Sequence, residues 1–366
     1  MKAITNSKLV KFLFFLLLLA PDSGLIAQEE EITSTPNFSI SGTVDAYFRT
    51  NFNGLNRSLV EAGDPDIIYT PAAPATAFVN DPGFAIGMAN IILNYENEKV
   101  GFGADLVFGP RGEDAVFLSK SSINIVNQLY AFYKVNDALK FTLGNWNTFL
   151  GYEVISPSAN FHYSTSYLFS YGPFSHTGIK ADFNFTENWT GMLAIMNPTD
   201  YTEFNPIGKY SYGAQLGYSN SNGSAFLNLL YGDQTMSEHS LFQIDLTTGW
   251  DLTETFCFGF NGSYQATNGS GFYGAAVYPQ LSLLDKFDLG FRAEYFKERD
   301  GDTIVYNADT SVTAFTLTGS YTQGGLIIKP EFRVDTLSDD YPAFYDKDLK
   351  PGNQLSSFVL AAIYAF

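Results

Sequence analysis

Hydrophobic and polar residues take turns along much of the chain, and residues 38–50 show this pattern early. Phe38, Ile40, Val44, Ala46 and Phe48 share one parity, whereas Ser39, Ser41, Thr43, Asp45, Tyr47 and Arg49 share the other. Successive side chains of a β-strand point to opposite faces of the sheet. The segment is therefore predicted to be a strand with one apolar face and one polar face.

Sixteen segments show this alternation, and each has about the ten residues that a tilted strand needs to cross the hydrocarbon layer of a membrane. The predicted strands cover residues 38–50, 84–95, 99–109, 123–134, 139–149, 174–185, 187–197, 208–219, 223–233, 239–251, 254–266, 270–283, 286–298, 311–322, 325–336 and 354–366. The pattern indicates an all-β protein.

The connections between these strands fall into two kinds. Seven are tight and rich in turn-forming residues, as at Asn136-Asp137 and Asp285, and they alternate with connections that are mostly longer. Short turns at one end and long loops at the other are typical of an outer-membrane barrel with periplasmic turns. We predict a closed antiparallel transmembrane β-barrel of about 16 strands, with 14 or 18 as alternatives and a soluble β-sandwich as the competing fold.

The last predicted strand ends on an aromatic residue. Phe358, Leu360, Ala362, Tyr364 and Phe366 share one face. This ending resembles the C-terminal signal strand of bacterial outer-membrane barrels, which end on Phe. The resemblance implies recognition by the barrel-assembly machinery through Phe366, and contact with outer-membrane lipid and lipopolysaccharide.

The first 28 residues have the features of a secretory signal peptide. Lys2, Lys8 and Lys11 precede an apolar run over residues 12–20 that is too short to span a bilayer as a helix. Cleavage is expected near Ala27. The sequence therefore predicts an exported protein in which residues 29–366 form one barrel domain in the outer membrane.

The composition narrows the class of partner. The chain holds 20 Lys and Arg against 38 Asp and Glu, a net charge of −18, which argues against nucleic acid as a partner. The single cysteine, Cys257, excludes an internal disulfide. Acidic clusters at 300–302 and 339–340 lack the spacing of an EF-hand and are interpreted as solvated turns, so no metal site and no cofactor is predicted.

Charged residues within the strands indicate which face is inside. Because charge in mid-membrane lipid is costly, the charged parity of each strand is expected to face the lumen. Predicted channel-lining residues are Asp45, Arg49, Lys180, Asp182, Arg292, Glu294, Lys329, Glu331, Arg333 and Asp335, and Asp105, Asp245 and Asp288 are also expected to point inward. The alternative is that these charges form ion-paired ladders that hold the strand register.

The third long loop, residues 151–174, is aromatic and contains few charges for an exposed loop. In general porins the third outer loop folds into the lumen, so this loop is a candidate for the constriction. Its candidate residues are Glu153, Phe161, His162 and Tyr163. The alternative is a loop that packs above the barrel mouth.

Three segments carry a family resemblance: QLYAFYKVNDALKFTLGNW, EVISPSANFHYSTSYLFSYGPFSHTGIKA and FRAEYF at 291–296. They resemble the OmpL-like putative β-barrel porin family of Gram-negative bacteria. The resemblance extends from about residue 38 to residue 366 and is most specific over residues 153–178. It implies a barrel and a channel, and neither a substrate nor a catalytic residue.

The most favoured function is a water-filled channel for passive diffusion of small polar solutes or ions. Asp45, Glu153, Glu331 and Asp335 would favour cations, whereas Arg49, Lys180, Arg292 and Arg333 would form an opposing wall. The expected cation preference is mild, and the size suggests a homotrimer by analogy.

Two other functions remain open from the sequence. A structural or ligand-binding barrel would act through its long outer loops, of which the first covers residues 51–82. A barrel enzyme would need a nucleophile and a base in contact, and the adjacent Ser175 and His176 diverge in a strand. The protein is therefore not expected to be an enzyme, and no catalytic residue is assigned.

Overall fold

Sixteen long antiparallel strands close into one barrel in a computed structural model of the chain. The structure describes residues 37–56, 73–236, 239–299, 304–306, 308–338 and 343–366. The predicted signal peptide and the acidic clusters at 300–302 and 339–340 lie outside the described residues.

The barrel strands follow one another in chain order around the wall. They are β1 (Asn37–Asn51), β2 (Gly83–Glu96), β3 (Val100–Phe108), β4 (Val126–Asn136), β5 (Leu139–Asn147), β6 (Ser175–Asn184), β7 (Trp189–Met196), β8 (Ser211–Asn220), β9 (Gly223–Asp233), β10 (Ser240–Asp251), β11 (Phe256–Thr267), β12 (Ser270–Leu284), β13 (Phe287–Glu298), β14 (Ser311–Gln323), β15 (Leu326–Leu337) and β18 (Gln354–Ala365). A hairpin of β16 (Phe344–Tyr345) and β17 (Pro351–Gly352) lies in the last long loop.

The first and last barrel strands pair with each other and close the sheet. Thr43 of β1 lies opposite Ala365 of β18, and Thr50 lies opposite Phe358. Closure removes the open edge that a sheet would otherwise expose to lipid, where unpaired backbone groups are costly. The predicted closed barrel of about 16 strands is confirmed.

The alternation of the sequence separates two faces of the wall. In β15, Lys329, Glu331 and Arg333 are buried, whereas Phe332 between them is exposed. Phe102 and Phe108 of β3 are exposed in the same way, opposite in parity to the buried Asp105. Exposed aromatic and aliphatic side chains form the outer face that a bilayer would cover.

The connections sort as predicted, with tight turns at one end of the barrel and longer loops mostly at the other. All sixteen predicted strands are present, and their ends agree within three residues. The fourth begins late because residues Ser121–Ile125 form a 3₁₀ turn. Two short helices were not predicted, α1 (Pro110–Ala115) and α2 (Tyr167–Ser170). Among the described helices, none has the length and apolar character required to cross a bilayer.

Candidate functional site: a loop folded into the barrel

The connection between β5 and β6, residues 148–174, folds into the barrel interior. Two of its tyrosines, Tyr163 and Tyr167, have no exposed surface, and Glu153 is only 5% exposed. Side chains from β1, β13, β14 and β15 hold this segment, which we call the inner loop. Residues 151–174, the candidate constriction loop, belong to this segment, and whether they narrow a conducting path stays a prediction.

A buried ion pair holds the start of the inner loop. Arg292 Nη1 of β13 lies 2.5 Å from Glu153 Oε1, and both side chains are almost fully buried. Arg292 also donates to the carbonyl oxygen of Ser164 at 2.8 Å. Glu153 Oε2 accepts from the backbone nitrogen and the hydroxyl of Ser166, both at 2.7 Å. The pair thus connects the wall to two segments of the loop, one at Glu153 and one at residues 164–166.

Two wall carboxylates each accept two consecutive backbone N–H groups of the inner loop. Glu331 of β15 accepts from Tyr163 at 2.8 Å and from Ser164 at 3.1 Å. Glu294 of β13 accepts from Tyr167 at 3.0 Å and from Leu168 at 2.8 Å, where α2 begins. The first N–H groups of a helix have no acceptor within the helix, and Glu294 supplies an acceptor for two of these groups of α2. Hydrogen bonds to ionised acceptors are stronger than neutral ones.

The two basic residues of β15 also contact the loop. Arg333 forms a forked pair with Asp335, with distances of 2.8 to 3.1 Å, and donates to the carbonyl of Thr165 at 2.7 Å. Lys329 Nζ donates to the carbonyl of Pro157 at 2.9 Å and to that of Asn160. Three of the four alternating charges of β15 therefore bind the loop directly, and the fourth, Asp335, pairs with Arg333.

Residues of β1 and α1 also bind the inner loop. Tyr163 donates its hydroxyl hydrogen to Asp45 of β1. Arg111 of α1 donates to the carbonyl of Ile155 at 2.9 Å and lies over the ring of Phe78 at 4.5 Å. Arg111 was not predicted as a site residue, because it lies in a loop where no periodicity indicates which way a side chain points.

His162 of the inner loop is neutral. Burial, reinforced by the nearby cations Arg292, Lys329 and Arg333, holds the pKa of His162 well below its ordinary value. Its Nδ1 lies 2.8 Å from the Thr318 hydroxyl oxygen, and that hydroxyl donates to Glu331 at 2.8 Å. Thr318 therefore accepts from His162 Nδ1–H, which leaves Nε2 as the unprotonated nitrogen.

The wall opposite the docked loop keeps its charges accessible. Lys180 and Asp182 of β6 are half-buried and pair at 3.2 Å. Lys140 of β5 lies 3.5 Å from Asp182, and Lys134 of β4 pairs with Glu96. Lys134 and Lys140, which lie opposite each other in the register, were not predicted as lining residues, although their even parity within the strands placed them on the inner face.

The structure places the ten predicted lining residues on the interior face, in two groups. Lys180 and Asp182 stay half-exposed, whereas the other eight are buried, and the inner loop contacts most of these. Ladders of wall ion pairs were the alternative, and most of the buried charges act by binding the loop. Whether any of the ten lines a conducting path stays a prediction.

Among the described residues, Tyr152 and Glu153 border two cavities beside the inner loop. The larger, of about 470 Å³, is lined by residues of the loop and of β11 to β15. The smaller, of about 410 Å³, lies against β8, β9 and β10. Polar groups and aromatic rings line both cavities, as expected for space that holds water or a polar solute.

Ser175 and His176 do not form a nucleophile–base pair. His176 Nε2 lies 3.1 Å from the Thr148 hydroxyl, and its ring packs on Phe149 with centroids 4.9 Å apart. The side chains of adjacent strand residues point to opposite faces. The geometry gives the barrel-enzyme alternative no support at this position.

A protein-family model described as putative beta-barrel porin-2, OmpL-like, matches residues 37–366. Among curated proteins, none matches this chain. A loop L8 deletion mutant of OmpT, an outer membrane protein of Vibrio cholerae, is similar in structure, with a TM-score of 0.59 and 11% identity over 91% of this chain and 100% of that chain. The anion-selective porin of Comamonas acidovorans gives 0.58 and 10% over 91% and 100%. The trimer form of OmpT gives 0.56 and 12% over 91% and 100%.

Proposed function

Because this chain belongs to the OmpL-like beta-barrel porin-2 family, we propose that it is an outer-membrane porin for passive diffusion of small polar solutes or ions. The observation that carries this proposal is the inner loop, which enters a closed barrel of sixteen strands and is tied to its wall. A barrel of this strand number encloses more space than its own side chains fill. A loop fixed inside that space narrows the lumen and leaves a passage through it.

The mechanism is exclusion by size and by charge at the level of the inner loop. A solute must pass between the loop and the wall, where the smaller cavity against β8 to β10 and the larger cavity against β11 to β15 both have polar borders. No chemical step is involved, and the rate depends on the narrowest width and on the lining charges.

The structure changes the argument for ion selectivity. Asp45, Glu153, Glu331 and Asp335 were expected to favour cations, but each is buried and hydrogen-bonded. Glu153 pairs with Arg292 and Asp335 pairs with Arg333, whereas Asp45 and Glu331 accept from N–H and hydroxyl groups. A mild cation preference would then arise from the acidic composition of the chain, with its net charge of −18, acting at the loops of the mouth.

Planar-bilayer recording of the purified barrel tests the proposal. We expect discrete conductance steps, smaller than those of a barrel without an internal loop, and a small reversal potential in a salt gradient. Deletion of residues 155–170 should raise the conductance because it opens the lumen. The proposal fails if the folded protein, confirmed by its heat-modifiable mobility on a gel, gives no conductance with or without the loop.

We also propose the route and the assembly of the protein. Export would use the predicted signal peptide 1–28, and Phe366 would present the last strand to the barrel-assembly machinery. Exposed aromatic and aliphatic side chains would contact outer-membrane lipid and, in the outer leaflet, lipopolysaccharide. A homotrimer is supported by one similar structure described as a trimer form. Chemical cross-linking in detergent would distinguish a trimer from a monomer.

A further inference from the structure

Two aromatic side chains of the inner loop form walls of the larger cavity. Tyr152 and Phe161 are half-buried and border the same space. The ring of Tyr152 stacks on that of Tyr278 of β12, with centroids 4.3 Å apart and planes inclined by 22°. A partly exposed ring offers an apolar face on which the C–H groups of a solute can pack.

Glycines of the barrel wall leave the space that these two rings occupy. A Cβ added to Gly259 of β11 would overlap the ring of Tyr152, and a Cβ added to Gly290 of β13 would overlap the ring of Phe161. Both rings therefore occupy space that a side chain at these two positions would fill. The two walls of the cavity exist before any solute arrives, which lowers the entropic cost of binding.

Polar groups of neighbouring strands face the same cavity. Gln280 of β12, Asp288 of β13 and Ser320 of β14 line it, and the register places Asp288 directly opposite Ser320. Within the described part of the chain, these three side chains have no hydrogen-bond partner. Together they offer an amide, a carboxylate and a hydroxyl, that is, both donors and acceptors.

The charges at this cavity favour an uncharged solute over an anion. Lys329 borders the cavity but is only 2% exposed and donates to two loop carbonyls. Glu153 is paired with Arg292. Asp288 is therefore the accessible charge among the lining residues, and a carboxylate repels an anion while it accepts hydrogen bonds from hydroxyl groups.

We propose that this cavity is a binding site for an uncharged polyhydroxylated solute of the size of a mono- or disaccharide. The C–H face of the solute would pack on Tyr152 and Phe161, and its hydroxyl groups would bond to Gln280, Asp288 and Ser320. The volume of about 470 Å³ lies within the range of small-molecule sites. The inference rests on the proposed pore function, because the solute reaches the cavity through the lumen.

Calorimetric titration of the full-length barrel in detergent with glucose, maltose and gluconate tests the proposal without requiring conductance. We expect saturable binding of glucose or maltose. Gluconate, which carries a carboxylate on a similar polyol, should bind about fivefold or more weakly, because Asp288 repels it. Binding of gluconate as tight as that of glucose would contradict the assigned class.

Variants locate the site. Tyr152→Ala should weaken sugar binding about five- to tenfold, the range expected for the loss of one aromatic contact. Asp288→Asn should abolish the discrimination against gluconate while sugar binding persists. Gly259→Ala should weaken sugar binding by displacing the Tyr152 ring, and it leaves every lining side chain in the sequence. Phe204→Ala, at an exposed aromatic residue outside the cavity, is the matched control and should bind like the unsubstituted protein.

The two proposals fail in different ways. A conducting protein that shows no saturable sugar binding, or whose binding is unchanged in Tyr152→Ala and Gly259→Ala, would overturn the site and leave the porin in place. A protein that binds sugar but does not conduct would contradict the proposed porin function and leave the proposed binding site standing.

Discussion

Arg292 of β13 and Glu153 of the inner loop are buried against each other, with Arg292 Nη1 2.5 Å from Glu153 Oε1. The two residues are separated by 139 positions in the sequence. An unpaired charge in such a place costs several kcal/mol, whereas the pair with its hydrogen bonds is tolerated. The pair therefore makes the docked position of the loop strongly preferred over positions that separate the two charges.

Removing one partner of this pair should release the loop. Glu153→Gln leaves Arg292 buried without its counter-ion, at a cost of about 3–5 kcal/mol to the docked state. The barrel strands do not depend on the loop for their hydrogen bonds, so we expect an intact barrel with larger or noisier conductance steps in planar bilayers.

Two further variants distinguish the ion pair from a general disturbance of the loop. Val154→Ala, at an exposed neighbour in the same loop, should conduct like the unsubstituted protein. The double variant Glu153→Gln with Arg292→Gln removes both charges and should recover part of the quiet, small conductance. Equal conductance in Glu153→Gln and Val154→Ala would contradict the assigned role.

The carboxylate of Glu331 should contribute separately to docking. It accepts from the backbone N–H groups of Tyr163 and Ser164 and from the Thr318 hydroxyl. Glu331→Ala leaves these donors without an acceptor, and each hydrogen bond to a charged group is worth about 1.5–3 kcal/mol. We expect protease cleavage within residues 155–170 to become faster in the folded variant, as measured by mass spectrometry of the fragments. Unchanged cleavage, compared with Val154→Ala as control, would mean that the loop does not depend on Glu331.

The barrel was predictable from the sequence because its strands obey a local rule. Lys329, Glu331, Arg333 and Asp335 alternate with apolar residues, and lipid on one side enforces that alternation. What these charges bind was not predictable. The contact of Glu331 with Tyr163 joins residues 168 positions apart, and no local pattern encodes that distance. Arg111 was missed for the same reason, and so was the burial of Asp45, Glu153, Glu331 and Asp335.

Acid should loosen the inner loop through His162. Its pKa in the docked state lies well below the ordinary 6.5, because of burial and the cations Arg292, Lys329 and Arg333. The released state therefore binds a proton that the docked state rejects as the pH falls below about 6.5. Between pH 7.5 and pH 5 this weakens docking by up to about 2 kcal/mol. Conductance noise should rise on acidification, and His162→Gln should remove that dependence.

Asp200 should act with the opposite sign, which allows the two groups to be separated. Asp200 lies in the connection between β7 and β8, and its carboxyl group accepts from the backbone N–H groups of Phe174 and Ser175 at 2.8 and 2.9 Å. Burial raises the pKa of Asp200 to about 6. The docked state therefore holds a proton more tightly than the released state, and docking weakens as the pH rises from about 4 through 6. Asp200→Asn should remove this component while the His162 component remains. A pH profile unchanged in both variants would assign the dependence elsewhere.

Ion selectivity should respond to the exposed lysines and not to the buried charges. Lys140 is 40% exposed at its side chain and shares Asp182 with Lys180, so its charge acts on the lumen. Lys140→Gln removes one accessible positive charge and should shift the reversal potential in a salt gradient toward cation selectivity. The shift should shrink at high salt, because screening shortens the reach of an exposed charge.

Lys329→Gln removes the same charge from a side chain that is 2% exposed and bound to the loop. Its main effect should be on conductance noise through loop release, with little change in reversal potential. The reverse assignment, in which Lys329→Gln changes selectivity and Lys140→Gln does not, would place the conducting path on the other side of the inner loop.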